Sequence, residues 1–176
     1  MDYKDKIIEF LSHPENMKFL LELETLIPIV KEFHHKKAID VFERMIKEKI
    51  WDDYKSDTSD ENLIIFKSGY KNEKYFKLGI YLGRTYQNCF YGITSTTPFS
   101  TLKPDSDDLD SYTSDRKMAQ GNPWQTYKFF NKNRSELFNC FTQESLEEFF
   151  EDWSETFWEF ANHVKQYIEN LNDRLK

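Results

Sequence analysis

From Leu146 to Leu175 large apolar residues recur in steps of three and four: Leu146, Phe150, Trp153, Phe157, Ala161, Val164, Ile168, Leu171 and Leu175. An α-helix completes a turn in 3.6 residues, so this spacing sets all of them on one stripe. The intervening positions are acidic: Glu144, Glu147, Glu148, Glu151, Asp152, Glu155 and Glu159, with no Lys or Arg between Ser135 and Val164. From Ser135 to Lys176 there are 10 acids against 3 bases, an excess equal to the whole chain's net charge of −7. Charge and apolar surface are therefore segregated on opposite sides of one element. The pattern predicts a long terminal helix starting near Thr142, apolar toward a body and negative toward solvent. Glu144 in the first turn, with Arg174 and Lys176 at the end, suits the helix macrodipole. Phe149, Trp158 and Phe160 lie beside the stripe and widen it, either for a deep core or for a protein interface.

The rest of the chain supplies the body. Asp2–Leu11 is a short amphipathic segment with Ile7, Ile8 and Leu11 on one side. Ser12 and Glu15 have capping-box spacing and Pro14 fits a first turn, so a helix is expected over Pro14–Leu26. Pro28 lacks an amide hydrogen and should kink that helix or start a new one, with Thr25 helping to cap the restart. The next helix should run to about Lys49 on Val30, Phe33, Ala38, Val41, Phe42, Met45 and Ile46. Asp52–Glu61 is polar and reads as a loop. Asn62–Lys67 reads as a strand, Tyr70–Glu73 as a turn, and Tyr75–Leu82 as a strand with Phe76, Leu78, Ile80 and Leu82 on one face. Gly83-Arg84-Thr85 leads to a third strand over Tyr86–Thr94. Connections this short give antiparallel neighbours, because parallel pairs need long crossovers. Thr94–Gly121 has no periodicity and is rich in Ser, Thr and Asp. Asn122–Phe130 is a fourth strand or a short helix, and Ser135–Phe141 a brief helix. The expectation is one α+β domain: an antiparallel sheet of three or four strands packed with amino-terminal helices and the long acidic helix. In outline it is helical over 1–51, sheet over 62–94, long loop over 94–121 and helical again over 135–176.

A chain of 176 residues suits a single domain. The aromatic share of 17% points to an aromatic-rich core, since each such ring buries roughly 150–250 Å². Cys89 and Cys140 lie far apart and form no CxxC pair, which reads as two free thiols in a reducing cytoplasm. The first residues are charged, and no stretch approaches the ~18 apolar residues of a membrane span. An acidic balance disfavours general binding to a phosphate backbone and suits a partner with a basic surface.

Three constellations carry candidate chemistry. Pro104-Asp105 followed by Asp115-Arg116-Lys117 spells the PD…(D/E)-x-K pattern, in which two carboxylates hold Mg²⁺ and a lysine sits near the attacking water. An enzyme of this kind would use Asp105, Asp115 and Lys117, but its carboxylates need rigid strands, and Asp105–Lys117 has only Leu109 and Tyr112 as large apolar residues. Lys74, Tyr75, Lys77, Tyr81 and Arg84 interleave bases with aromatics, as in surfaces that grip single-stranded nucleic acid by stacking. Glu144, Glu148, Glu151, Asp152 and Glu155 form an acidic face that could dock a basic partner or imitate a phosphate backbone. The acids at 105, 107, 108 and 110 do not fit a calcium loop, whose sixth position is Gly and twelfth Glu; here those are Asp110 and Arg116. Adjacent His34 and His35 diverge on a helix and make a poor metal pair. No Gly-rich phosphate loop or nucleophile elbow is present.

Two helices ending at Trp51, the strands Tyr75–Leu82 and Tyr86–Thr94, then Trp124, Tyr127 and Phe130 and a closing acidic helix form an order with a precedent. Over about Met17–Lys176 the chain resembles the carboxyl-terminal portion of certain bacterial and phage proteins of the PD-(D/E)XK nuclease superfamily. In those relatives the catalytic core lies upstream, so the resemblance implies a non-catalytic module and carries over no catalytic residue. It implies a role in phage–host conflict or DNA metabolism. The expectation is a non-enzymatic, cytoplasmic interaction module of bacterial or phage type, with no cofactor. Mg²⁺ enters only under the nuclease alternative, and a nucleic-acid binder is the third reading.

Overall fold

The computed structural model describes residues 6, 8–10, 12–59, 61–83, 89–97, 123–130, 134–140 and 142–176. Contacts divide the chain into two units, one reaching Lys37 and the other Ala38–Lys176.

Helix α1 spans Pro14–Lys47 as one element, with Pro28 inside it. The expectation was that Pro28 kinks this helix or starts a new one. No new helix starts there, and Thr25 Oγ1 donates to the Leu21 carbonyl 2.7 Å away rather than capping a restart. A proline in a helix interior costs roughly 3 kcal/mol, mostly through the hydrogen bond it cannot make. Pro28 and the residue that loses its donor, Glu24, are both exposed, so water can satisfy the freed carbonyl.

Within the second unit five strands form one antiparallel meander in the order β1 (Tyr54–Ser59), β2 (Asn62–Lys67), β3 (Lys77–Tyr81), β4 (Phe90–Thr94) and β5 (Trp124–Phe129). The sheet therefore has one strand more than the upper expectation. The additional strand is β1, in the stretch read as a loop. Its residues are polar because it is an edge: only Tyr54 is buried, while Lys55 and Asp57 point charge at solvent. Edge charges of this kind block pairing with another sheet. Asn122–Phe130 resolves in favour of a strand. Its ladder with β4 shifts between Ile93 and Thr94, passing from Thr126 to Trp124 and skipping Gln125.

A short 3-10 helix, Arg134–Asn139, leads to helix α2, Gln143–Asp173. Thr142 caps α2: its Oγ1 accepts from the Ser145 amide at 3.1 Å, and the Ser145 hydroxyl accepts from the Thr142 amide at 3.1 Å. This reciprocal pair satisfies two amides that a helix start otherwise leaves open.

The two faces of the sheet are built differently. On one, Leu63, Ile65, Leu78, Ile80, Tyr91 and Ile93 meet α2 and residues 38–46 of α1 in a single core. Phe42 stacks on Phe150 at 4.7 Å, and Phe130 lies flat on Trp153 at 4.4 Å between ring centres. On the other face Phe90, Trp124 and Tyr127 form a smaller aromatic cluster with Tyr81 and Phe129. Gly79 and Gly92 pair across β3 and β4 beneath it. A Cβ on Gly79 would come within 2.6 Å of the Trp124 ring, and one on Gly92 within 2.0 Å of the Thr126 carbonyl oxygen. Only glycine lets the indole and the neighbouring strand come this close.

Candidate functional site

Every member of the sequence-predicted stripe from Leu146 to Leu171 is buried, and Leu175 is half-buried. Phe149, Trp158 and Phe160 are buried as well, so they deepen the core and form no exposed interface. What α2 turns to solvent is the acidic side. Glu144, Glu148, Glu151, Asp152, Glu155 and Glu159 are all exposed. At 100° per residue these six fall within an arc of about 100°. Over Glu144–Glu159 the helix rises roughly 22 Å, so the six carboxylates lie on average ~4.5 Å apart along its axis.

Glu147, at the edge of this arc, is neutralised by Arg44 of α1 and also accepts from Gln143 Nε2 at 3.0 Å. Among the described residues Glu144, Glu148, Glu151, Glu155 and Glu159 have neither an ion pair nor a hydrogen-bond partner. The remaining acids of α2 are used internally, toward its carboxyl end. Glu169 accepts from the Tyr54 hydroxyl at 2.9 Å and pairs with Lys67 at 3.0 Å, and Lys67 also reaches Asp53 at 3.3 Å. Burial, followed by the bond to Glu169, raises the Tyr54 pKa above its ordinary range. The bond to Glu169 likewise raises that of Lys67. Asp173 accepts from the Tyr70 hydroxyl at 2.6 Å and pairs with Lys176 at 2.8 Å. Those two contacts hold its carboxyl below the usual range, Lys176 contributing most.

Buried Asn172 completes the anchor. Its Oδ1 accepts from the Phe76 amide at 2.7 Å and its Nδ2 donates to the Phe76 carbonyl at 2.9 Å. Sequence reading missed it, because an Asn near a helix end looks like a solvated residue. Its one legible signal was position: it stands next to the stripe residue Leu171.

The residues of the nucleic-acid reading are placed otherwise. Lys74 Nζ donates to the Leu175 carbonyl at 3.0 Å and lies 4.8 Å from the Tyr75 ring centre. Tyr75 packs edge-on against Tyr70 at 4.9 Å. Lys77 Nζ donates to the Lys71 carbonyl at 2.6 Å, and burial lowers its pKa. Tyr81 donates to Glu61 at 2.8 Å and leans on Phe90 at 4.9 Å. Each of these described groups also has a partner within the protein, while Lys74 stays exposed and Tyr75, Lys77 and Tyr81 stay half-buried. Arg84 lies outside the described residues, as do Asp105, Asp115 and Lys117 of the nuclease reading and the whole of 98–122. Among the described residues no group of His, Cys, Asp and Glu is arranged to hold a metal ion. His34 and His35 are both buried, and Cys89 and Cys140 are free thiols, Cys89 buried and Cys140 half-buried. The cleft lined by Tyr54, Phe66, Lys67, Lys77, Lys165 and Asn172 is too narrow to admit a small molecule. No helix among the described residues is long and apolar enough to cross a membrane.

No protein-family model, curated protein or solved structure matches the chain.

Proposed function

We propose that this protein is a non-enzymatic interaction module that binds a basic protein surface through the acidic side of α2. The observation that carries this reading is the row Glu144, Glu148, Glu151, Asp152, Glu155 and Glu159. Five of these carboxylates have no partner within the described residues, on a helix whose other side is fixed in the core. An acidic row left unneutralised repels itself, and an oppositely charged surface relieves that repulsion. The mean axial spacing of ~4.5 Å compares with the ~3.4 Å of axial rise per phosphate on one DNA strand. The partner class that best suits this row is therefore a protein whose basic surface otherwise engages nucleic acid. The resemblance of Met17–Lys176 to the non-catalytic region of bacterial and phage nuclease-superfamily proteins points the same way, toward phage–host conflict or DNA metabolism. A rigid acidic face needs no cofactor and no bound metal to act in this way.

Capture from a lysate of the native host, read by mass spectrometry, identifies the partner. The E148K/E151K/D152K variant then tests the mode of binding. Its helix content should be unchanged, since these side chains are exposed, while recovery of a basic partner should fall at least tenfold and fall further with added salt. Capture unaffected by the charge reversal, or Mg²⁺-dependent cleavage of DNA lost in Asp115→Ala, would overturn the proposal.

A further inference from the structure

The part of α1 that belongs to the first unit presents its apolar residues to solvent. Phe33 is 72% exposed, Ile29 61%, Val30 56%, Leu26 51% and Ile27 47%. At 100° per residue these five fall within about 160° of the helix circumference, and half-buried Leu20 and Leu23 continue the same side toward the amino end. Pro28 falls on the opposite side, so the position that lacks an amide hydrogen lies away from the apolar surface. A large apolar side chain that is about half exposed or more leaves roughly 100 Å² free, so these five leave on the order of 500 Å². Each partner in a standard-size interface contributes ~800 Å², of which a little over half is apolar. The patch is thus the size of the apolar share of one stable protein–protein interface, and it reaches the upper range of what monomers leave bare.

The charges on this stretch identify its occupant. Glu15, Glu22, Glu24 and Glu32 balance Lys18, Lys31, Lys36 and Lys37. Three of the four acids precede Thr25, and three of the four bases follow Pro28. Laid antiparallel on a second copy of itself, such a helix sets its acidic half against the other's basic half, and the two macrodipoles oppose favourably. Helices that lie on lipid carry polar faces rich in Lys and Arg, whereas this one is electrically neutral. A strongly basic or acidic partner would gain nothing from a balanced surface. We propose that two copies of this chain associate through residues 15–37 of α1, with the apolar residues 26–33 at the centre, antiparallel about a two-fold axis. Such an axis brings the same patch of both copies together, so that each covers the other, while exposed Leu21 lies on the Pro28 side and stays outside it. This pairing is independent of the acidic side of α2.

Sedimentation equilibrium of the full chain tests it. The expected mass at high concentration is twice 21.3 kDa. Ile29→Glu with Phe33→Glu should return the single-chain mass with unchanged circular dichroism, since both side chains are exposed. E22K/E24K should weaken self-association about tenfold, and mixing it with K31E/K36E should restore a dimer composed of one chain of each. A single-chain mass at every concentration, a dimer that survives I29E/F33E, or an E22K/E24K variant that fails to pair with K31E/K36E would each overturn it. So would retention of a single-chain protein on anionic phospholipid vesicles, which would give the patch to a membrane surface instead.

Discussion

On α2, Phe150 and Phe157 are fully buried; on α1, Ile29 and Phe33, one helical turn apart like so many pairs on α2, stand 61% and 72% exposed. The two helices are of similar length, 31 and 34 residues, and both carry apolar residues at helical spacing. What separates them is what they have to pack against. The apolar side of α2 faces a sheet whose inner positions, Leu63, Ile65, Leu78, Ile80, Tyr91 and Ile93, supply a complementary surface. Residues 14–37 of α1 lie in a unit that contains no strand among the described residues. Periodicity therefore identifies the side of a helix that must be covered, and topology decides whether its own chain covers it. On α2 the exposed side is acidic; on the first part of α1 the exposed residues include a run of apolar ones.

The sharpest way to break this contrast is to truncate one aromatic on each helix. Trp153→Ala should cost about 3–5 kcal/mol in urea unfolding, because Trp153 is 2% exposed and lies against Phe130, Phe149 and Phe150. Phe33→Ala should cost under about 0.5 kcal/mol in the isolated chain. Equal costs would mean that Phe33 has a cover within its own chain. Next in size, Pro28→Ala should raise amide protection around residue 28 by up to ~3 kcal/mol, since the helix already runs through that position. No gain would place a break there. Asn172→Ala should then cost roughly 2 kcal/mol, because it strands both the buried amide and the carbonyl of Phe76. An Asn172→Asp control keeps the acceptor alone and should recover part of that loss.

These sites differ in how plainly the sequence announced them. The stripe from Leu146 to Leu171 was legible because burial on one side of a helix leaves a 3.6-residue period whatever lies opposite. The alternation Phe76, Leu78, Ile80, Leu82 was legible for the equivalent reason in a strand. Strand β1 was not, since an edge strand with one buried residue, Tyr54, shows no alternation of hydrophobicity. Whether Pro28 sits within one helix or starts another was not, because local propensity allows both, and the exposure of that turn makes the lost bond tolerable. The exposed acids of the candidate site could be read from charge segregation alone. The internal partners of Lys74, Lys77 and Tyr81 could not, since they are carbonyls and a carboxylate brought near by the fold.

The smallest effect concerns how the carboxyl end of α2 is held. Asp173 is the fully exposed acid that joins Lys176 to the Tyr70 hydroxyl, and its lowered pKa reports that it is more stable ionised in the folded state than in the unfolded chain. A carboxyl with a depressed folded pKa adds stability above its ordinary value of 3.8, and that contribution disappears as pH falls through the lower folded value. Because the pair is open to water, salt should screen it. In a carbon-detected NMR titration Asp173 should titrate below ordinary aspartates. Lys176→Ala should shift it upward more than Tyr70→Phe does, since Lys176 is the larger cause, and 1 M salt should also shift it upward. The unfolding midpoint at pH 7 should barely move in either variant.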